Sequence, residues 1–184
     1  MTITFPERFR LTAEDLWDIG SPEGWRIELL EGQLFVSPPP TGYHQFVADR
    51  VGEAIKRQGP AEWLAVSAMG VRLSAASLLI PDVVVVRRVG LNVRTLTVAA
   101  AEQVPLVVEI ASPGSVRRDY GAKRQAYAAA GIVYLLVDPR NQAITAHWPD
   151  GTHADLSDTD WTLRVDVTGQ RYNISLEGVF GDEG

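Results

Sequence analysis

Apolar positions change period along this chain, and each change marks an element. Between residues 25 and 36 they alternate: Trp25, Ile27 and Leu29 stand between Arg26 and Glu28, Glu31-Gly32 supplies turn chemistry, and Leu34-Phe35-Val36 returns. Period two on both sides of a glycine-containing pair predicts a hairpin, stopped by Ser37-Pro38-Pro39-Pro40. From Tyr43 to Gln58 the spacing becomes helical, with Phe46, Val47, Val51 and Ile55 on one face and Gly59-Pro60 as terminator. Upstream, Thr12-Ala13-Glu14-Asp15 offers an N-cap and two first-turn acids, predicting a short helix through about Ile19 that ends before Gly20-Ser21-Pro22.

The middle of the chain follows another pattern. Trp63 to Leu73 reads as one or two strands with Gly70 as a bulge. Two unbroken apolar runs follow, Val83 to Val86 after Pro81-Asp82, and Leu106-Val107-Val108 before Glu109-Ile110. Such β-branched runs predict strands covered on both faces. Residues 119–130 are alanine-rich and helical with Gly131 as terminator, and Ile132 to Val137 is a further strand closed by Asp138-Pro139. Gln142 to Trp148, the turn Pro149-Asp150-Gly151 and a short return strand make a second hairpin, with one more strand around Trp161–Val165. No repeat, low-complexity tract or linker interrupts the order. The expectation is one α/β domain over residues 1–184, a central mixed β-sheet flanked by helices with N-terminal and C-terminal β-hairpins.

Composition narrows the class. With 184 residues, 46% apolar and 22% charged, the chain can bury one ordinary core and matches neither disorder nor a membrane span. It has no cysteine, which removes disulfides, thiolate zinc sites and cysteine nucleophiles. The N-terminal stretch lacks an apolar signal-peptide core, so a cytoplasmic location is expected. The net charge of −6 argues against coating nucleic acid through overall charge. The charge is uneven, however: Arg117, Arg118, Lys123 and Arg124 face a single Asp119, while much of the acid lies in 150–184.

The informative residues are acids in apolar company. Glu109 closes a buried strand, where an unpaired charge is costly, and Asp82 opens another; two such acids on adjacent strands converge readily on one hard cation. At 100° per residue, Tyr120, Lys123, Ala126, Tyr127 and Ala130 share one helix face of roughly 120°, which puts a lysine on the side that packs against the sheet. Taken singly each has a plain structural reading: Pro-Asp is a common turn, and Asp119–Lys123 is an ordinary i,i+4 pair. Together they supply what metal-dependent phosphodiester hydrolysis needs, carboxylates for Mg²⁺ and an ammonium to offset charge on phosphorus oxygens. A lysine beside carboxylates stays protonated, which suits it to orienting water and stabilising charge rather than to acting as a base. Arg117, Arg118 and Arg124 could contact phosphates or form a solvated charge run. His44 reads as a capping or core residue more than a site residue, His147 and His153 as surface residues, and Ser112 as a cap or turn residue.

The chain also resembles the Uma2 family of endonuclease-like proteins, a branch of the PD-(D/E)xK nuclease superfamily. The resemblance is carried by residues 26–34, His44, Pro81-Asp82 through Val86, Val107 through Pro113, Asp119-Tyr120-Gly121-Ala122-Lys123, Tyr127, Gly131 and residues 134–139. It implies a restriction-endonuclease-like core, Mg²⁺ dependence with Mn²⁺ as a substitute, DNA as substrate, and Asp82, Glu109 and Lys123 as catalytic set with Glu28 as an added acid. One departure is Ala111, which stands where the superfamily pattern puts lysine, so Lys123 would be its stand-in. The expected metal ligands are Asp82, Glu109 and the carbonyl of Ile110. A homodimer is expected from the need for two sites to cut a duplex. Two rival functions keep the same fold: a catalytically idle binding module, and a metal-dependent hydrolase of another phosphorylated substrate.

Overall fold

A computed structural model describes residues 2–3, 11–19, 24–92, 94–112, 117–157, 160–167 and 169–181, without the side chains of 2–3, 17–18 and 117–120. The expected terminator Gly20-Ser21-Pro22 and the loop at 113–115 lie outside these residues.

The strands form two six-stranded mixed sheets and a separate ribbon rather than one central sheet. The first sheet holds β1 (Thr2–Ile3), β2 (Arg26–Leu30), β3 (Gln33–Ser37), β5 (Gly70–Ser74), β6 (Ser77–Leu79) and β8 (Val98–Ala100), in the order β1-β3-β2-β6-β5-β8. The second holds β4 (Trp63–Ser67), β7 (Val83–Arg87), β9 (Leu106–Ile110), β10 (Val133–Asp138), β11 (Ala143–His147) and β12 (His153–Leu156), in the order β12-β11-β10-β9-β7-β4. β13 (Thr162–Val167) and β14 (Gln170–Ser175) pair only with each other, so the acidic tail adds a hairpin where the pattern gave one strand. Three α-helices, α1 (Asp15–Ile19), α2 (Gly42–Gln58) and α3 (Arg117–Ala129), and a short 3-10 helix at Ala101–Gln103 complete the described fold.

The local causes are visible. Glu31 and Gly32 both take positive φ (51° and 77°), the two-residue turn that matches strand twist and joins Leu30 to Gln33. Thr41 caps α2 by accepting from the His44 backbone N–H, and Gly59 ends it by donating to Ile55. Between β4 and β5 the chain leaves the second sheet for the first, with Ala68 at φ 50°. Gly70 is therefore the first residue of β5 and no bulge; a Cβ there would stand 3.0 Å from a Val98 methyl on the neighbouring strand.

Alternate side chains of the second sheet feed two cores. Val83, Val85, Leu106 and Val108 pack with Val47, Val51 and Ile55 of α2 and with Leu163 and Ile174 of the ribbon. Val84, Val86 and Val107 pack on the other face with Leu30, Val71 and Leu79 of the first sheet and Tyr127 of α3. The unbroken valine run thus means burial on both sides, as expected. Phe46 departs from the expected apolar face of α2: it is 42% exposed and stacks on Tyr43, with Arg50 above its ring. No helix among the described residues is long and apolar enough to cross a membrane.

Candidate active site

The strand edges bring the acids together. Asp82 immediately precedes β7 and Glu109 is the fourth residue of antiparallel β9, so both project from the same end of the second sheet. Strand parity puts them on the face of Val84 and Val107, the one covered by α3. β9, α3 and β10 form a crossover unit, with β9 and β10 parallel. On α3, Lys123 and Tyr127 are one turn apart and both buried, which aims them at Glu109. Glu28 comes from the first sheet, where β2 turns its polar side inward; its Oε1 accepts the Ile80 N–H in the segment that crosses from β6 to β7.

Lys123 ties the two sheets. Its Nζ lies 2.8 Å from Glu109 Oε1 and 2.9 Å from each oxygen of Glu28. Relative exposures of 3% for Glu28, 5% for Asp82, 4% for Glu109 and 8% for Lys123 make this a buried ionic cluster. Removing one partner of such a group leaves a charge uncompensated, at a cost of about 3–5 kcal/mol. The Tyr127 hydroxyl donates to the same Glu109 oxygen at 3.4 Å.

Asp82 heads a second group. Its Oδ1 accepts from Arg26 at 2.8 Å, while Oδ2 accepts the Ile110 backbone N–H at 2.8 Å and stands 3.3 Å from His44 Nε2. His44 Nε2 also lies 3.1 Å from the Ile110 carbonyl oxygen, which can only accept, so this nitrogen carries the hydrogen. His44 Nδ1 is buried with no partner among the described residues.

The environment sorts the protonation states. Burial pushes Glu109 up; the Lys123 ammonium opposes this, the Glu28 and Asp82 carboxylates add to it, and the balance lies at about 7. For Lys123 burial works against the charge, but the carboxylates of Glu109 and Glu28 outweigh it and hold its pKa above the ordinary lysine value. Burial also opposes ionisation of Asp82, yet the His44 hydrogen bond and the Arg26 charge leave it below the usual aspartate value. His44 is raised above the ordinary histidine value, Asp82 overcoming the effect of burial.

The expected residues Glu28, Asp82, Glu109 and Lys123 therefore meet in one cluster, and the Ile110 carbonyl lies beside Asp82. Lys123, on the helix rather than at position 111, reaches Glu109. Arg124 is exposed, and its charge is felt by His147 on the neighbouring strand; the side chains of Arg117 and Arg118, which open α3, lie outside the described residues. Sequence reasoning missed Arg26 and gave His44 to capping or packing, whereas both touch Asp82. A signal for Arg26 was present: it shares a strand face with Glu28, two residues on. For His44 the signals were its place near the start of α2 and its part in the family resemblance.

Among the described residues no three His, Asp or Glu side chains form a cage for a metal. The donor set present suits a hard cation with few protein ligands. Asp82 Oδ2 and the Ile110 carbonyl converge on one N–H, and the described hydrogen bonds of Glu109 all go to Oε1, leaving Oε2. Two carboxylates and a carbonyl, with water and phosphate oxygens, are what Mg²⁺ takes.

A solved structure from Anabaena variabilis ATCC 29413, described as a putative nuclease belonging to DUF820, is similar to the chain with TM-score 0.74 and 17% identity, covering 92% of this chain and 97% of that one. At that identity the likeness speaks for the fold. No curated protein matches the chain. The model of the Uma2 family, described as "Putative restriction endonuclease", matches residues 10–175, and the chain belongs to that family.

Proposed function

We propose that the protein is a Mg²⁺-dependent endonuclease that hydrolyses phosphodiester bonds of DNA, with Mn²⁺ able to replace Mg²⁺. The observation that carries this reading is the meeting of Asp82, Glu109 and Lys123, from separate elements, at one end of the second sheet. Asp82, Glu109 and the Ile110 carbonyl would hold the cation, which supplies Lewis acidity and a lowered pKa for water. Lys123 keeps its proton and stabilises negative charge on phosphorus oxygens. Glu28 holds Lys123 on the Glu109 side through two 2.9 Å contacts, and Arg26 fixes the rotamer of Asp82. Arg124, with Arg117 and Arg118 at the start of the same helix, would meet the flanking phosphates. A homodimer and a cytoplasmic location go with this reading: duplex cleavage needs two sites, and a chain without cysteine suits a reducing compartment.

A second reading has one observation in its favour. Both oxygens of Asp82 already face Arg26, His44 and the Ile110 N–H, a closed network that an idle binding module would also keep. Incubation with plasmid, nicked and single-stranded DNA in Mg²⁺ or Mn²⁺ separates the two. Metal-dependent cleavage that falls at least about 100-fold in Asp82→Ala and Lys123→Ala is the expected result. Binding without cleavage favours the idle module, and cleavage that survives both substitutions removes this site.

A further inference from the structure

His44 stands where two of the cation's oxygens point. Its Nε2 hydrogen is shared between Ile110 O at 3.1 Å and Asp82 Oδ2 at 3.3 Å, the backbone and side-chain donors of the Asp82 half of the site. Oδ2 already accepts the Ile110 N–H, so a cation that reaches Oδ2 and the Ile110 carbonyl from their open side needs the space that the imidazole N–H fills. As placed, the nitrogen cannot itself ligate, because its in-plane orbital is taken up by the N–H bond and its remaining electron pair belongs to the ring.

The other end of the ring is unsatisfied. Nδ1 is buried and meets no partner among the described residues, so the imidazole is held here by Nε2 alone. A buried polar atom without a partner disfavours this placement relative to one that hydrates it. The side chain is 11% exposed and lies in the first turn of α2, so a change of χ1 can carry it outward without moving a strand.

We propose that the His44 imidazole is a placeholder, which a divalent cation must displace from Asp82 Oδ2 and the Ile110 carbonyl, and which thereby weakens and gates metal entry. The inference rests on the metal reading given above, and it adds the residue that sets the affinity. Lys123 has no such role, since it engages Glu109 and Glu28 rather than Asp82.

Calorimetric titration of Mn²⁺ into wild type, His44→Ala, His44→Leu and Asp82→Asn tests it without reference to activity, leucine keeping most of the ring's volume. Loss of one competing hydrogen-bonded contact should tighten Mn²⁺ binding in both His44 variants by about fivefold or more, while Asp82→Asn binds little or none. In parallel, Mg²⁺ titration of wild type followed by imidazole NMR should shift His44 and leave His147 and His153 in place. Weaker binding in the His44 variants would make the imidazole a ligand and overturn the proposal, as would unchanged affinity or stationary His44 signals. If wild type and the His44 variants all bind no Mn²⁺, the metal reading itself fails. Binding that appears only on removing His44 supports the placeholder in its strongest form.

Discussion

At the scale of single residues, the site is a problem in burying charge. Three carboxylates and two permanent cations share a space that water barely reaches, and the arrangement assigns Lys123 to Glu109 and Glu28 and Arg26 to Asp82. Glu109 is the least well compensated, because its lysine is divided with Glu28. Its carboxyl titrates at about 7 against 4.5 when exposed. A raised carboxyl stabilises the fold fully below about 4.5, and that contribution is lost as pH rises to about 7, because the folded state keeps a proton the unfolded state has released. The shift corresponds to something on the order of 3 kcal/mol. Urea unfolding of wild type and Glu109→Gln between pH 4 and pH 8 is the measurement. Wild type should lose stability across that window relative to the variant, whose amide does not titrate. Parallel curves would mean that Glu109 ionises at its ordinary value and that Lys123 compensates it fully.

At the scale of elements, the helix α3 shows why some of this was readable beforehand. Its inner face followed from 3.6-residue periodicity, so Lys123 and Tyr127 could be placed against the sheet, and Gly131 could be named as its end. The end is a Schellman cap: Ile132 N–H donates to Tyr127 O at 2.9 Å and Gly131 N–H to Ala128 O at 3.0 Å, with Gly131 at φ 74°. The cap fixes the backbone of Tyr127, whose hydroxyl reaches Glu109. A Cβ on Gly131 meets nothing within 4 Å, so Gly131→Ala imposes only the left-handed backbone cost of about 1–2 kcal/mol. Thermal unfolding should show a drop of roughly 2–8 °C for a domain of this size. A variant as stable as wild type would show that the helix end is held by Ile132 packing instead. What periodicity could not give is which partner each face meets. The alternation of Arg26 and Glu28 with Ile27 and Leu29 gave the strand, but not that Glu28 on its polar side is buried nearly as completely as Leu29 on its apolar side. The contacts of His44 were illegible in the same way, since its partner Ile110 lies 66 residues away.

At the scale of the whole molecule, the candidate site is the joint between two sheets. Among its crossings the chain leaves the second sheet for the first at Ala68 and returns at Ile80-Pro81-Asp82, and this return is pinned by Glu28 on one side and carries Asp82 on the other. A single mixed sheet was the natural reading of strand-rich sequence, because a switch of sheet leaves no periodic trace; the short strands β6 and β8 that complete the first sheet are too brief to show a period. The joint sets three carboxylates against two permanent cations, Lys123 and Arg26, so once Glu109 has lost its proton a dication is electrostatically welcome at Asp82 and Glu109, both at one end of the second sheet. A ligand that binds only the folded state stabilises it by about 2.7 kcal/mol at a hundred times its Kd. For a domain of this size that is a rise in melting temperature of roughly 5–11 °C. Scanning calorimetry with Mn²⁺, and again after removing it with a chelator, should show that rise and its reversal in wild type and neither in Asp82→Asn. A rise of equal size in Asp82→Asn would place the bound cation elsewhere on this acidic protein, and the joint would then be held by its own ion pairs alone.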